Sequence, residues 1–89
     1  MLYKWKRPVL FSTWDNEIVV YQFLSGDTYL FSDLSKTLIE HCFSKNCFDN
    51  TFLESEILDL LESQQHVKDF VSALIKRLLN ADLIISEGM

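Results

Sequence analysis

Apolar positions fall into two regimes along this chain. From Val9 to Ser32 they cluster and alternate; from Asp33 onward they recur every three or four residues. The first regime predicts strands. Val9 to Trp14 is expected as a first strand opened by Pro8, which donates no ladder hydrogen bond and suits a strand start or an edge. Asp15-Asn16 is a two-residue turn of residues that tolerate positive φ. Glu17 to Phe23, EIVVYQF, is predicted as a second strand, apolar almost throughout and therefore covered on both faces or central in its sheet. Leu24 to Gly26 turns the chain. Asp27 to Ser32 is a third strand, with Thr28 and Leu30 on one face and Tyr29 and Phe31 on the other.

The second regime predicts three helices. Ser32 or Asp33 is expected to cap the first with a side-chain oxygen, and Leu34, Leu38, Ile39 and Cys42 form its buried stripe. Ser44 to Asn50 reads as a polar loop. Thr51 to Glu54 has the capping-box pattern and opens a second helix buried through Leu53, Ile57, Leu60 and Leu61, with Glu54, Glu56, Asp59 and Glu62 on its other face. A third helix starts near Ser63 to Gln65. Its stripe is long, Val67, Phe70, Val71, Leu74, Ile75, Leu78 and Leu79, with Phe70 on one flank and Ile75 and Leu79 on the other, so it is expected to meet more than one surface. Leu83 to Ile85 either adds a short strand or packs down. The order, a three-stranded antiparallel sheet followed by three helices, is α+β and compatible with a winged-helix-like domain. A hairpin that runs straight into a helix leaves its last strand at a sheet edge, offering backbone to a partner.

Composition narrows the functional classes. The 89 residues are 48% hydrophobic, with seven Phe, three Tyr and two Trp, enough for one domain with a core of its own. Net charge is −5. Residues 15–33 hold Asp15, Glu17, Asp27 and Asp33 and no base, and the third helix offers only Lys68, Lys76 and Arg77, so a nucleic-acid duplex finds little to hold. Lys4, Lys6 and Arg7 interleave with Tyr3 and Trp5. They read as an anion-binding element or, preferably, as a flexible solubilising arm over residues 1–8 whose Trp5 packs on the sheet. The start, MLYKWKRPVLF, is charged where a secretion signal is apolar, and no apolar run approaches the ~20 residues of a membrane span. A cytoplasmic location with reduced thiols is the expectation.

Catalytic chemistry is not expected. His41, Cys42, Cys47 and His66 are the candidate soft ligands, but Cys42 lies on a buried stripe and the spacing is not that of paired zinc ligands. No G-x-S-x-G, H-E-x-x-H or P-loop pattern occurs. No cofactor or metal is expected, and the acids of the second helix read as a solvated face.

One ordered set of features resembles a known family. Trp14 precedes the hairpin. An apolar strand ends near Tyr21, the step Ser25-Gly26-Asp27-Thr28 follows, the next strand ends Tyr29-Leu30-Phe31, and a helix opens Asp33-Leu34-Ser35. Val67, Val71, Leu74 and Leu78 then lead to the closing Asp82-Leu83-Ile84. Over about residues 9–85 this is similar to the PqqD-like peptide chaperones, also called RiPP recognition elements, and VVYQFLSGDTYLF is closest to the subgroup encoded beside a relative of HPr kinase. Ala81-Asp82 stands where that family often has Gly before the final Leu-Ile.

The resemblance implies a non-catalytic, winged-helix-like module that binds the leader of a ribosomally made precursor peptide and presents it to a separate modifying or HPr-kinase-related enzyme. In the family the peptide lies along the third strand, in a groove against the third helix. Carried onto this chain, the groove is Thr28, Tyr29, Leu30, Phe31 and Ser32 on one wall, and Val67, Lys68, Val71, Ile75 and Leu78 on the other, with Lys68 facing a leader carboxylate. A helical stripe is also what ordinary core packing produces, and that reading of Val67, Val71 and Leu78 stays open. So do two alternatives for the whole chain: a winged-helix DNA-binding or transcription-associated domain, and a structural subunit that dimerises through its exposed strand.

Overall fold

The computed structural model describes residues 2–58 and 63–86. The chain runs β1 (Tyr3–Trp5), β2 (Val9–Thr13), β3 (Glu17–Gln22), β4 (Asp27–Ser32), α1 (Asp33–Cys42), α2 (Asn50–Ile57), α3 (Gln64–Asn80) and β5 (Ile84–Ser86). The expected three-stranded antiparallel sheet is present in the order β2-β3-β4, and three helices follow it. Leu60, Leu61, Asp59 and Glu62, assigned from sequence to the second helix, lie outside the described residues.

Alternation explains the sheet. Ile18, Val20, Gln22 and Phe31 are buried against the helices, while Val19 and Tyr21 are half-buried and Leu10, Phe23 and Leu30 are exposed on the other side. β3 is thus central in its sheet but covered on one face only, which corrects one of the two environments its apolar run allowed. The inner residues join Leu38, Ile39 and Cys42 of α1, Leu53 and Ile57 of α2, and Val67, Val71, Leu74, Ile75 and Leu78 of α3 in one core. Each such aliphatic or aromatic side chain contributes about 1.5–3 kcal/mol by leaving water. The 1% exposed Gln22 is fully satisfied: Nε2 donates to Lys6 C=O (2.9 Å), and Oε1 accepts from Leu24 N–H (2.9 Å). Gly26 takes φ 77° in the β3–β4 turn, a conformation that favours glycine.

The N-terminal arm is not a free arm. Tyr3–Trp5 pairs antiparallel with Ile84–Ser86 in a separate two-stranded sheet, and Tyr3 also exchanges hydrogen bonds with Phe48 (2.7 and 2.9 Å). Trp5 is 3% exposed; its ring meets Phe11 edge-on at 5.0 Å, and its indole N–H donates to Cys42 C=O (3.0 Å). The flexible tail expected over residues 1–8 is therefore replaced by a core strand, driven by burial of Tyr3 and Trp5. Phe48, which fell in an expected polar loop, is 2% exposed and closes this corner.

Helix ends differ in detail from the expectation. At α1 neither Ser32 nor Asp33 caps through a side chain; Asp33 has φ 56°, its N–H donates to Asn16 C=O (3.2 Å), and its carboxylate accepts from the Asn16 amide. At α2 the cap is Asp49, which accepts from Phe52 N–H (2.8 Å), so the helix begins ahead of the Thr51–Glu54 box. α3 starts as expected, with Ser63 accepting from Gln65 and His66. It ends in a Schellman motif: Leu83 N–H donates to Leu78 C=O (3.0 Å), Asp82 N–H to Leu79 C=O (3.0 Å), and Asp82 takes the left-handed φ of 61°.

Candidate peptide-docking edge

The hydrogen-bond parity of the sheet decides which backbone groups face out. In an antiparallel pair only every second residue bonds to its partner; the intervening ones point the other way. Asp33 N–H bonds to Asn16 C=O, so the bonded pairs of β3 and β4 are Ile18–Phe31, Val20–Tyr29 and Gln22–Asp27. The N–H and C=O groups of Thr28 and Leu30 and the N–H of Ser32 therefore point away from β3, along the outer edge of β4; the Ser32 C=O, at the N-cap of α1, accepts the first bond of that helix. By the same parity, set by Trp14 N–H to Glu17 C=O and Phe23 N–H to Pro8 C=O, the outward row of β2 is Val9, Phe11 and Thr13.

Beside β4 runs one side of α3. A shallow cleft of about 150 Å³ is lined by Ser35 of α1 and by Phe70, Ala73, Leu74 and Arg77 of α3. Arg77 Nη2 donates to the outward Leu30 C=O at 3.0 Å, which ties this wall directly to the edge. The same guanidinium lies 4.2 Å from the Phe31 ring centroid. Further along β4, the Tyr29 hydroxyl is raised above its ordinary pKa, first by partial burial and then by the negative charges of Asp27 and Asp82. Asp82 in turn pairs with Lys6 (2.6 Å).

This geometry redistributes the ten residues selected from sequence. On β4, Thr28, Leu30 and Ser32 supply the outward backbone and have exposed side chains, whereas Tyr29 and Phe31 point inward, half-buried and buried. On α3, Val67, Val71, Ile75 and Leu78 are 0–4% exposed and belong to the core. Lys68 is nine residues from Arg77, about two and a half turns, and so on the opposite face. It lines a separate cleft of about 230 Å³ with Thr51, Glu54, Ser55, Leu58, Gln64 and Val67. The cleft beside Arg77 is lined from α3 by Phe70, Ala73 and Arg77 on the flank of the apolar stripe, and by Leu74, itself 5% exposed and part of the core.

Cys42 is buried, and burial pushes its thiol up to about 12, so it stays protonated and inert at neutral pH. Cys47 is exposed and not joined to it. Among the described residues, no three His, Cys, Asp or Glu side chains converge as a metal site would need. No helix among them is long and apolar enough to cross a membrane.

No family model matches the chain, and no curated protein matches it. Among solved structures it is similar to TbiB1 in complex with the TbiA(beta) leader peptide, with a TM-score of 0.83 over 97% of this chain and 99% of that one. Identity is 13%, so the two share a fold with little sequence in common. The class defined here is an α+β domain with a three-stranded antiparallel sheet, three helices and an open β4 edge beside α3.

Proposed function

We propose that this chain is a non-catalytic peptide-binding module that takes the leader of a ribosomally made precursor peptide as an added strand on β4 and presents it to a separate modifying or HPr-kinase-related enzyme. The observation that carries this reading is the outward backbone row of Thr28, Leu30 and Ser32, beside the groove of Phe70, Ala73, Leu74 and Arg77. An extended peptide satisfies the edge N–H and C=O groups, which gives affinity that is independent of sequence; the groove side chains then set register and composition. The likeness to TbiB1, a protein solved with a leader peptide, supports the choice of peptide class. The VVYQFLSGDTYLF stretch supports the HPr-kinase-associated subgroup. Self-pairing of two copies through β4 would use the same edge and compete with the peptide.

The test is an amide-shift titration with peptides encoded beside the gene. Shifts should concentrate in Thr28 to Ser32 and in Phe70 to Arg77. Shifts confined to residues 2–7, or none with any such peptide, would sink the groove. Tight, salt-sensitive DNA binding in a gel shift would favour the winged-helix alternative.

A further inference from the structure

Arg77 occupies the middle of the edge that a peptide has to enter. Its donor covers one of the outward acceptors of the edge, Leu30 C=O, at 3.0 Å. Its guanidinium stacks over Phe31, itself only 1% exposed, which removes water from one face of the cation. The chain has 13 acidic residues against eight Lys and Arg. Even so, the ion pairs among the described residues engage Lys6, Lys36 and His41, and Arg77 is left with a carbonyl. The two ends of the edge also differ in sign. Around Tyr29, Asp27 and Asp82 bring negative charge, Asp82 already paired with Lys6; at Leu30, Arg77 brings positive charge.

We propose that Arg77 is a latch on β4 and the specificity-determining residue of the groove: an added strand displaces it from Leu30 C=O, and the groove selects extended peptides that carry a carboxylate side chain level with Leu30. The proposal rests on the peptide-binding reading above. The displaced guanidinium keeps its place on Phe31, so it needs a new acceptor. A carboxylate supplies two oxygens in the planar geometry of the guanidinium fork. A neutral peptide supplies none and leaves the guanidinium, exposed apart from its contact with Phe31, to water alone. A carboxylate nearer Tyr29 meets Asp27 instead and is repelled, Asp82 being already paired with Lys6.

The experiment uses the full chain and the peptide found by the titration, with each of its acidic residues changed to the amide in turn. One such change should weaken binding by about 10- to 100-fold, the range for a hydrogen bond to a charged group, while the others have little effect. In Arg77→Gln that one preference should collapse: the acidic peptide weakens to the level of its amide form, and the amide form binds as well as or better than to the parent chain, because the latch is gone. Arg77→Lys keeps the charge without the fork and should give an intermediate preference. Lys68→Gln, on the opposite helix face, should leave the preference intact. Equal weakening of acidic and amide peptides by Arg77→Gln, with circular dichroism unchanged, would reduce Arg77 to a packing role and overturn the latch alone. Absence of binding by every peptide would overturn the latch and the peptide-binding reading together.

Discussion

The sheet has two edges, and they are not equivalent. β4 is six residues long, alternates cleanly and lies beside the α3 groove, with Arg77 as its only side-chain cover among the described residues. β2 is five residues long and enters from Pro8. Its outward residue Phe11 packs against Trp5 of β1 at 5.0 Å and against Phe43, just past α1, at 5.1 Å. Aromatic rings flank β2 where a groove flanks β4. Natural sheets protect exposed edges because free N–H and C=O rows invite pairing. Here one edge is blunted by short length and bulk, and the other by a single displaceable guanidinium. An open edge alone is therefore not a binding site; an open edge with a wall beside it is.

Proline substitutions break this comparison most sharply, because Pro removes one amide and the direction of that amide is known from parity. Phe31→Pro cuts the hydrogen bond to Ile18 of β3 and removes a fully buried ring, so it should destabilise the fold by more than about 3 kcal/mol. One residue away, Leu30→Pro removes an outward amide. The fold should survive by circular dichroism, while peptide affinity drops about tenfold or more, since the peptide's carbonyl loses its donor. Thr13→Pro removes the equivalent outward amide of β2 and should leave affinity within about twofold. Equal losses from Leu30→Pro and Thr13→Pro, by calorimetry, would mean that the peptide does not distinguish the edges.

A smaller effect is expected at Gln22, which holds the approach to β2 rather than the β4 edge. Its side chain fixes Lys6 C=O and Leu24 N–H, anchoring the segment that leads through Pro8 into β2. Gln22→Leu keeps the volume but leaves both backbone groups without partners, and should lower stability by about 1–3 kcal/mol in urea titration. Peptide affinity of the folded fraction should stay within about twofold. A loss of affinity comparable to that of Leu30→Pro would show that the two ends of the sheet are coupled.

The three main strands and the helices were legible because periods of 2 and 3.6 carry through segments of adequate length. β1 and β5 were not, or only barely, because three residues hold no period; their pairing follows from burial of Tyr3, Trp5 and Ile84, which is tertiary. Phe48 was hidden in a polar segment for the same reason. The site was half legible. Alternation in Asp27 to Ser32 located the edge, but the core of the α3 stripe was mistaken for its outward wall. Buried residues dominate a stripe, so the groove has to lie on its flank. Phe70, off the centre of the stripe, was the available signal, and Arg77, seven residues on, shares its face. The Thr51–Glu54 box lost to Asp49, whose carboxylate accepts from Phe52 N–H and starts α2 at Asn50, one residue ahead of the box.

The finest distinction concerns Asp82, at the acidic end of the β4 groove. It takes a left-handed φ of 61° at the close of α3, the position where the resembled family often carries Gly. A side chain there costs about 1 kcal/mol relative to Gly, although Asp tolerates it better than most residues. Against that cost stands the ion pair with Lys6 at 2.6 Å, with both side chains partly or largely exposed, so its benefit is small. Asp82→Gly removes the strain and the ion pair together and should change stability by less than about 1 kcal/mol. Asp82→Ala keeps the strain and loses the pair, and should fall below the glycine variant by about 1 kcal/mol. In both, one negative charge leaves the neighbourhood of Tyr29, whose hydroxyl should titrate slightly lower while remaining raised by burial and by Asp27. Paired denaturation curves and a tyrosine titration resolve these effects. Alanine and glycine variants of equal stability would mean that the turn after α3 holds no left-handed strain and that its closing geometry is set by Leu83 packing on Leu78 alone.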